Sequence, residues 1–225
     1  VSGRFSLSPQ IALLFDMDGV VVESTEVHVD AWDRYLAPFG ADGAWVHRHM
    51  LGKRNDEIVR AVFGNELSPG EVEAHGAAKE RLYRALMSSQ LHRRMVAGIR
   101  QLLEEAHQQG VPCGLGTNAE PENVRFILEG LDLGRYFQAT VDGHQVQKAK
   151  PHPEIYLRLA EQLGADPRNC VVFEDSPGGM AAAKAAGMRL VAVLTTLQKA
   201  EEASLAVHDF LDPRLPHWLA EQTAV

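Results

Sequence analysis

Two aspartates two positions apart, Asp16 and Asp18, follow the apolar run Ile11-Ala12-Leu13-Leu14-Phe15, and Gly19 comes after them. A short apolar run bounded by turn chemistry predicts a fully buried strand. Alternate strand residues point to the same side, so the two carboxylates can converge at the strand's end. Like charges brought together repel, and a proton or a cation must relieve them. Other polar groups stand where later apolar runs stop, Thr117-Asn118 and Glu174-Asp175-Ser176, and a later loop carries Lys150 before Pro151. Ionised, Asp16, Asp18, Glu174 and Asp175 carry four negative charges, and Lys150 offsets one. Oxygen ligands of this kind suit Mg²⁺, which binds through few carboxylates and leaves room for a phosphate oxygen. The chemistry such a group could perform is phosphoryl transfer.

Meeting in space requires elements that bring these segments together. From residue 96 onward strand and helix signals alternate, with helices over 99–109, 121–129, 153–163 and 177–186 and strands over 111–115, 139–141, 170–173 and 190–194. Gly110, Gly164 and Gly187 supply the stops after three of the helices. This rhythm predicts a parallel, Rossmann-like sheet wrapped by helices, and such sheets bind ligands beyond the carboxyl ends of their strands. Residues 23–94 read instead as helices only. One carries Val27, Ala31, Trp32, Tyr35 and Leu36. A second carries Ile58, Val59, Val62 and Phe63, with Asn55 or Asp56 as its cap. A third opens on the capping box Ser68-Pro69-Gly70-Glu71. The expected organisation is an α/β core of residues 1–22 and 95–225, with an all-helical cap domain of 23–94 inserted after the first strand.

The bulk numbers are consistent with one enzyme-sized unit. The chain has 225 residues, 45% hydrophobic and 23% charged, enough for a substantial core. Its net charge of -8 disfavours nucleic acid or an anionic membrane as the main partner. Cys113 and Cys170 each sit in a short apolar run, which argues for buried thiols and a reducing, cytoplasmic setting. No apolar run approaches the ~20 residues of a membrane span. Residues 1–10 lack the apolar stretch of a signal peptide and read as a lead-in.

With these residues in hand, the chain resembles the haloacid dehalogenase superfamily of phosphohydrolases, in particular the members similar to β-phosphoglucomutase. Asp16-Met17-Asp18-Gly19, Thr117-Asn118, Lys150-Pro151 and Glu174-Asp175-Ser176 match its four motifs in order, and the resemblance covers nearly all of the chain. It implies that Asp16 is the nucleophile, Asp18 the general acid and base, and Thr117, Asn118 and Lys150 the phosphate-binding and charge-neutralising groups. It further implies a Mg²⁺ ion held by Asp16, Asp175 and the Asp18 carbonyl, with Glu174 assisting. His28 and Trp32, together with Arg54 and Lys79 as cations, are the cap's candidate substrate contacts.

The resemblance therefore implies a Mg²⁺-dependent phosphatase for a small phosphorylated metabolite, with sugar phosphates as the expected class. A sugar-phosphate mutase is the alternative, and a non-catalytic phosphate-binding protein the third reading. Thr117-Asn118-Ala119-Glu120 departs from the serine- and lysine-containing mutase pattern, and Glu120 would repel a second phosphate. Two lookalikes fall away. Gly114-Leu115-Gly116-Thr117-Asn118-Ala119 imitates a dinucleotide fingerprint without its downstream acid. Ser176-Pro177-Gly178 lacks the first glycine of a nucleophile elbow.

Overall fold

The computed structural model describes residues 11–50 and 53–222. The lead-in over residues 1–10 lies outside them. Six strands form one parallel sheet in the order β3-β2-β1-β4-β5-β6: β1 (Ala12–Phe15), β2 (Cys113–Gly116), β3 (Ala139–Val141), β4 (Cys170–Glu174), β5 (Arg189–Val193) and β6 (Leu205–Val207). The central stretches of the strands are apolar because both faces are covered. Leu13, Phe15, Cys113, Leu115, Val171 and Phe173 point to one face, while Ala12, Leu14, Cys170 and Val172 point to the other. Phe15 and Phe173 stack across neighbouring strands, 4.7 Å apart.

On the first face lie α5 (Ile99–Gln108), α6 (Pro121–Gly130) and α9 (Arg214–Ala220). On the second lie α7 (Glu154–Leu163) and α8 (Pro177–Ala185). The glycines of the dinucleotide lookalike have a packing role here. A side chain at Gly114 or Gly116 would press into Leu159 of α7, so glycine lets that helix approach β2 closely. Residues 195–222, for which the sequence predicts no element, supply β6 and α9. Both are short, and α9 begins behind Pro213 in a stretch too brief to show periodicity.

Between β1 and β2 the chain builds a helical layer: α1 (Thr25–Leu36), α2 (Ala44–His49), α3 (Asn55–Phe63) and α4 (Pro69–Ser88). Its own cluster includes Trp32, Leu36, Val46, Ile58, Val59 and Val72. The Ser68 capping box opens α4 as expected, its hydroxyl accepting from the Glu71 amide. At α3 the expectation shifts by one residue. Arg54 is the N-cap, and the Asn55 side chain donates to Glu80 Oε1 (2.8 Å) instead of capping its own helix. The outgoing and returning chains lie side by side, where Val22 pairs with Met95 in an antiparallel bridge.

Candidate active site

The parallel register delivers the four predicted segments to one end of the sheet. Asp16 directly follows β1, Thr117 follows β2, and Glu174 ends β4. Lys150 reaches in from the loop after β3. Its Nζ donates to Asp16 Oδ1 (2.7 Å), Glu174 Oε1 (2.6 Å) and the Gly116 carbonyl (2.9 Å), and lies 4.8 Å above the Tyr156 ring. Lys148, two positions earlier, is exposed, and its amide donates to Glu154.

Glu174 is fully buried and saturated with donors. Its Oε1 accepts from Tyr156 Oη and Lys150, while Oε2 accepts from the Asp175 and Ser176 amides and from Ser176 Oγ. A side chain at Gly179 would collide with that carboxylate, so the start of α8 is shaped around it. Asp175 is held by the Thr196 hydroxyl, and Gly19, at φ +78°, leaves the space it occupies.

Asp16, Asp18, Thr117, Asn118, Lys150 and Asp175 line a cleft of about 760 Å³ open to solvent, with the helical layer as its other wall. Burial pushes the Asp16 carboxyl up to about 7. Lys150 opposes that shift, while Glu174 and Asp18 reinforce it. Burial, Glu174 and Asp16 drive Asp175 well above the usual carboxylate range. Asp18 behaves differently: burial pushes it up, but His28 and Ser24, both hydrogen-bonded to it, outweigh this and leave it low. Ser24 Oγ donates to Asp18 Oδ1 (2.6 Å), and His28 Nε2 lies 3.4 Å from the same oxygen.

Asp16, Glu174 and Asp175 each offer an oxygen within 4.8 Å of the others'. Two of the three are pushed toward protonation, which marks an unmet need for positive charge. Mg²⁺ fits this donor set. Because Glu174 is already spent on five donors, Asp16 and Asp175 are the carboxylates free to hold it.

The cap candidates divide. His28, Trp32 and Lys79 line the cleft. Trp32 also belongs to the helical cluster, so it serves in both places. Lys79 is 2% exposed and fully engaged, donating to His28 Nδ1 (2.7 Å) and Glu80 Oε1 (2.8 Å). Its ammonium can only donate, so His28 Nε2 carries the proton that faces Asp18. Arg54 does not line the cleft. Its guanidinium donates to Asp56, and the neighbouring Lys53 is the cation on that wall.

Ser24, Lys53, Asn55, Glu80 and Asn123 also line the cleft and were not anticipated. Glu80 had a signal. On α4 the buried positions Val72, Gly76, Tyr83 and Met87 set a helical stripe that runs straight through Lys79 and Glu80. A charge pair on a buried stripe must be paired or functional.

Fold and site together define a hydrolase with a Rossmann-like core. The model of the haloacid dehalogenase-like hydrolases matches residues 12–187, and the chain belongs to that family. Hexitol phosphatase B of Escherichia coli (strain K12) is 32% identical over 190 residues, 81% of this chain and 83% of that protein. Protein CbbY of Rhodobacter capsulatus is 30% identical over 223 residues, 94% of this chain and 95% of its own. Among solved structures, β-phosphoglucomutase (pgmB) from Clostridium difficile superposes with a TM-score of 0.81 at 24% identity, covering 93% of this chain and 96% of that one.

Proposed function

We propose that this chain is a Mg²⁺-dependent phosphatase of small phosphorylated metabolites, with sugar or sugar-alcohol phosphates as the substrate class. The observation that carries the reading is the Asp16–Lys150 contact at 2.7 Å, at the floor of a cleft that Asp18, Thr117 and Asp175 also line. The similarity to hexitol phosphatase B supports the substrate class.

An Asp16 oxygen attacks phosphorus as the ester oxygen leaves, giving an aspartyl-phosphate. Asp18 protonates the leaving oxygen, then takes a proton from the water that attacks phosphorus and frees Asp16. The bonds from His28 and Ser24 hold Asp18 ready as the base. A phosphate dianion bound beside it raises its proton affinity for the acid step. Lys150 neutralises charge on Asp16 and the transferring oxygens, while Thr117 and Asn118 hold the phosphate. Asp16 and Asp175 would hold Mg²⁺, which would supply neutralisation of the charge on the transferring phosphoryl group. Residues 23–94 act as a cap that closes over the substrate and excludes bulk water.

A panel of phosphate esters tests this. Turnover is expected with Mg²⁺, and it should vanish with chelator and in Asp16→Asn. Retained turnover in Asp16→Asn would exclude Asp16 as nucleophile. Phosphorus NMR with β-glucose 1-phosphate separates the two chemistries: free phosphate supports hydrolysis, and glucose 6-phosphate would reassign the chain to mutases. Mg²⁺-dependent binding of a phosphate mimic without turnover of any ester would instead indicate a binding protein.

A further inference from the structure

A second buried polar group lies along the seam between α4 and the first turn of α6, and the reaction as written does not use it. Asn123 on α6 is 1% exposed, and its amide is engaged at both ends. Its Nδ2 donates to Glu80 Oε2 (2.7 Å), and its Oδ1 accepts from Arg84 Nη1 (2.7 Å). Arg84 also donates to Glu120 Oε1 (3.0 Å), with side-chain exposures of 22% and 14% for the pair. Glu80 and Arg84 stand one turn apart on α4 and so share a face.

What these bonds join matters more than their number. Glu120 immediately precedes α6 and ends the loop that begins at Thr117. Asn123 and Glu80 line the cleft, and Arg84 and Glu120 stand behind them. Lys79, next to Glu80, holds the His28 ring that faces Asp18. One helix face therefore reaches both the Thr117 loop and the group that orients Asp18. The arrangement also changes the meaning of Glu120. Its carboxylate is not a free charge that repels substrate, because Arg84 neutralises it.

We propose that Arg84 and Glu120, together with the Glu80–Asn123 bond, form a clasp that keeps the helical layer closed over Asp16 before any ligand arrives. Arg84 and Glu120 are positioning residues: they touch no reacting atom. This rests on the reading of residues 23–94 as a cap that opens. Separating α4 from α6 leaves a buried carboxylate and a buried amide without their cross-seam partners. Each charge-assisted bond of this kind shifts an equilibrium by about tenfold or more. Apparent affinity falls in proportion to the closed fraction, so a broken clasp appears as a raised KM with kcat preserved, since bound substrate still closes the cap.

The experiment compares wild type, Arg84→Glu, Glu120→Arg and the charge-swapped double variant. KM and kcat are measured on the best ester of the panel, and small-angle scattering on the ligand-free proteins. Each single reversal is expected to raise KM about tenfold with kcat within about twofold, and to enlarge the radius of gyration. The double variant rebuilds the ion pair but not the Arg84–Asn123 bond, so it should restore part of both, and Arg84→Lys should fall between. Equal radii and equal KM in all four proteins overturn the clasp, as does a double variant no better than the singles. A fall in kcat with unchanged KM also overturns it and indicates a merely structural contact. Should Arg84→Glu fail to fold, Arg84→Gln carries the same comparison. If no ester is turned over, the proposed function fails, and the scattering comparison still decides the clasp.

Discussion

At the sheet end three carboxylates are buried, those of Asp16, Glu174 and Asp175, and the Lys150 ammonium contacts two of them, Asp16 and Glu174. Along α4 one buried carboxylate, Glu80, receives Lys79, Asn55 and Asn123. Burial is similar in the two places and the outcome is opposite. Asp16 is pushed up to about 7 and Asp175 well above its ordinary range. For Glu80 burial also pushes up, but Lys79, His28 and the hydrogen bonds outweigh it and bring the value down to about 2. The donor count decides the sign, not the depth. One cluster stores a deficit that a cation can fill, and the other is complete and holds two helices together.

Replacing Lys150 by Met tests that contrast most severely, because it leaves three buried acids with no cation. The expected loss is roughly 10³-fold in turnover and about 3–5 kcal/mol in stability, read by ester assay and urea unfolding. If Lys150→Met is as stable as wild type, Lys150 does not offset charge at the sheet end.

Glu80→Gln breaks the satisfied cluster. Its folded value of about 2 lies below the ordinary 4.5, so the ionised carboxylate stabilises the fold. That contribution is complete above about pH 4.5 and is lost as pH falls toward 2. It is worth at most about 3 kcal/mol. Urea midpoints across this range should fall more steeply for wild type than for Glu80→Gln, and parallel curves would refute the assignment.

Asp175→Asn should move the other way. Removing an acid from the deficient cluster is expected to stabilise the protein in chelator by about 1–3 kcal/mol, while ester turnover is abolished. In wild type, Mg²⁺ at about 100 times its Kd should add about 2.7 kcal/mol, seen as a raised Tm. The Asp175→Asn protein should show little of that rise. A full Mg²⁺ response in the variant would move the ion elsewhere.

The deficient cluster was the legible one. Asp16, Asp18 and Asp175 lie at or just beyond strand ends, Lys150 comes from the loop after β3, and in a parallel sheet the strand order alone carries strand ends and the loops beyond them to one edge. The partners of the satisfied cluster were hidden because they come from three helices whose mutual packing no periodicity encodes. Asn55 read as a cap, Glu120 as a free charge, and Asn123 carried no signal at all. The Arg54 expectation failed by one position: Arg54 has extended backbone at the N-cap of α3 and its guanidinium turns to Asp56, while Lys53 lines the cleft. Short elements such as α2 and β6 span too few residues to show a period, whereas α4, with its capping box and long stripe, is plain.

The two thiols have a practical consequence. Cys113 and Cys170 are buried, and burial pushes both up to about 12. A thiol reacts as its thiolate, so neither native cysteine should take up a maleimide dye while the protein is folded. One cysteine introduced on the exposed face of α3 and another on α7 would then label cleanly. Single-molecule distances between the two dyes could follow the cleft in time with the native sequence otherwise intact.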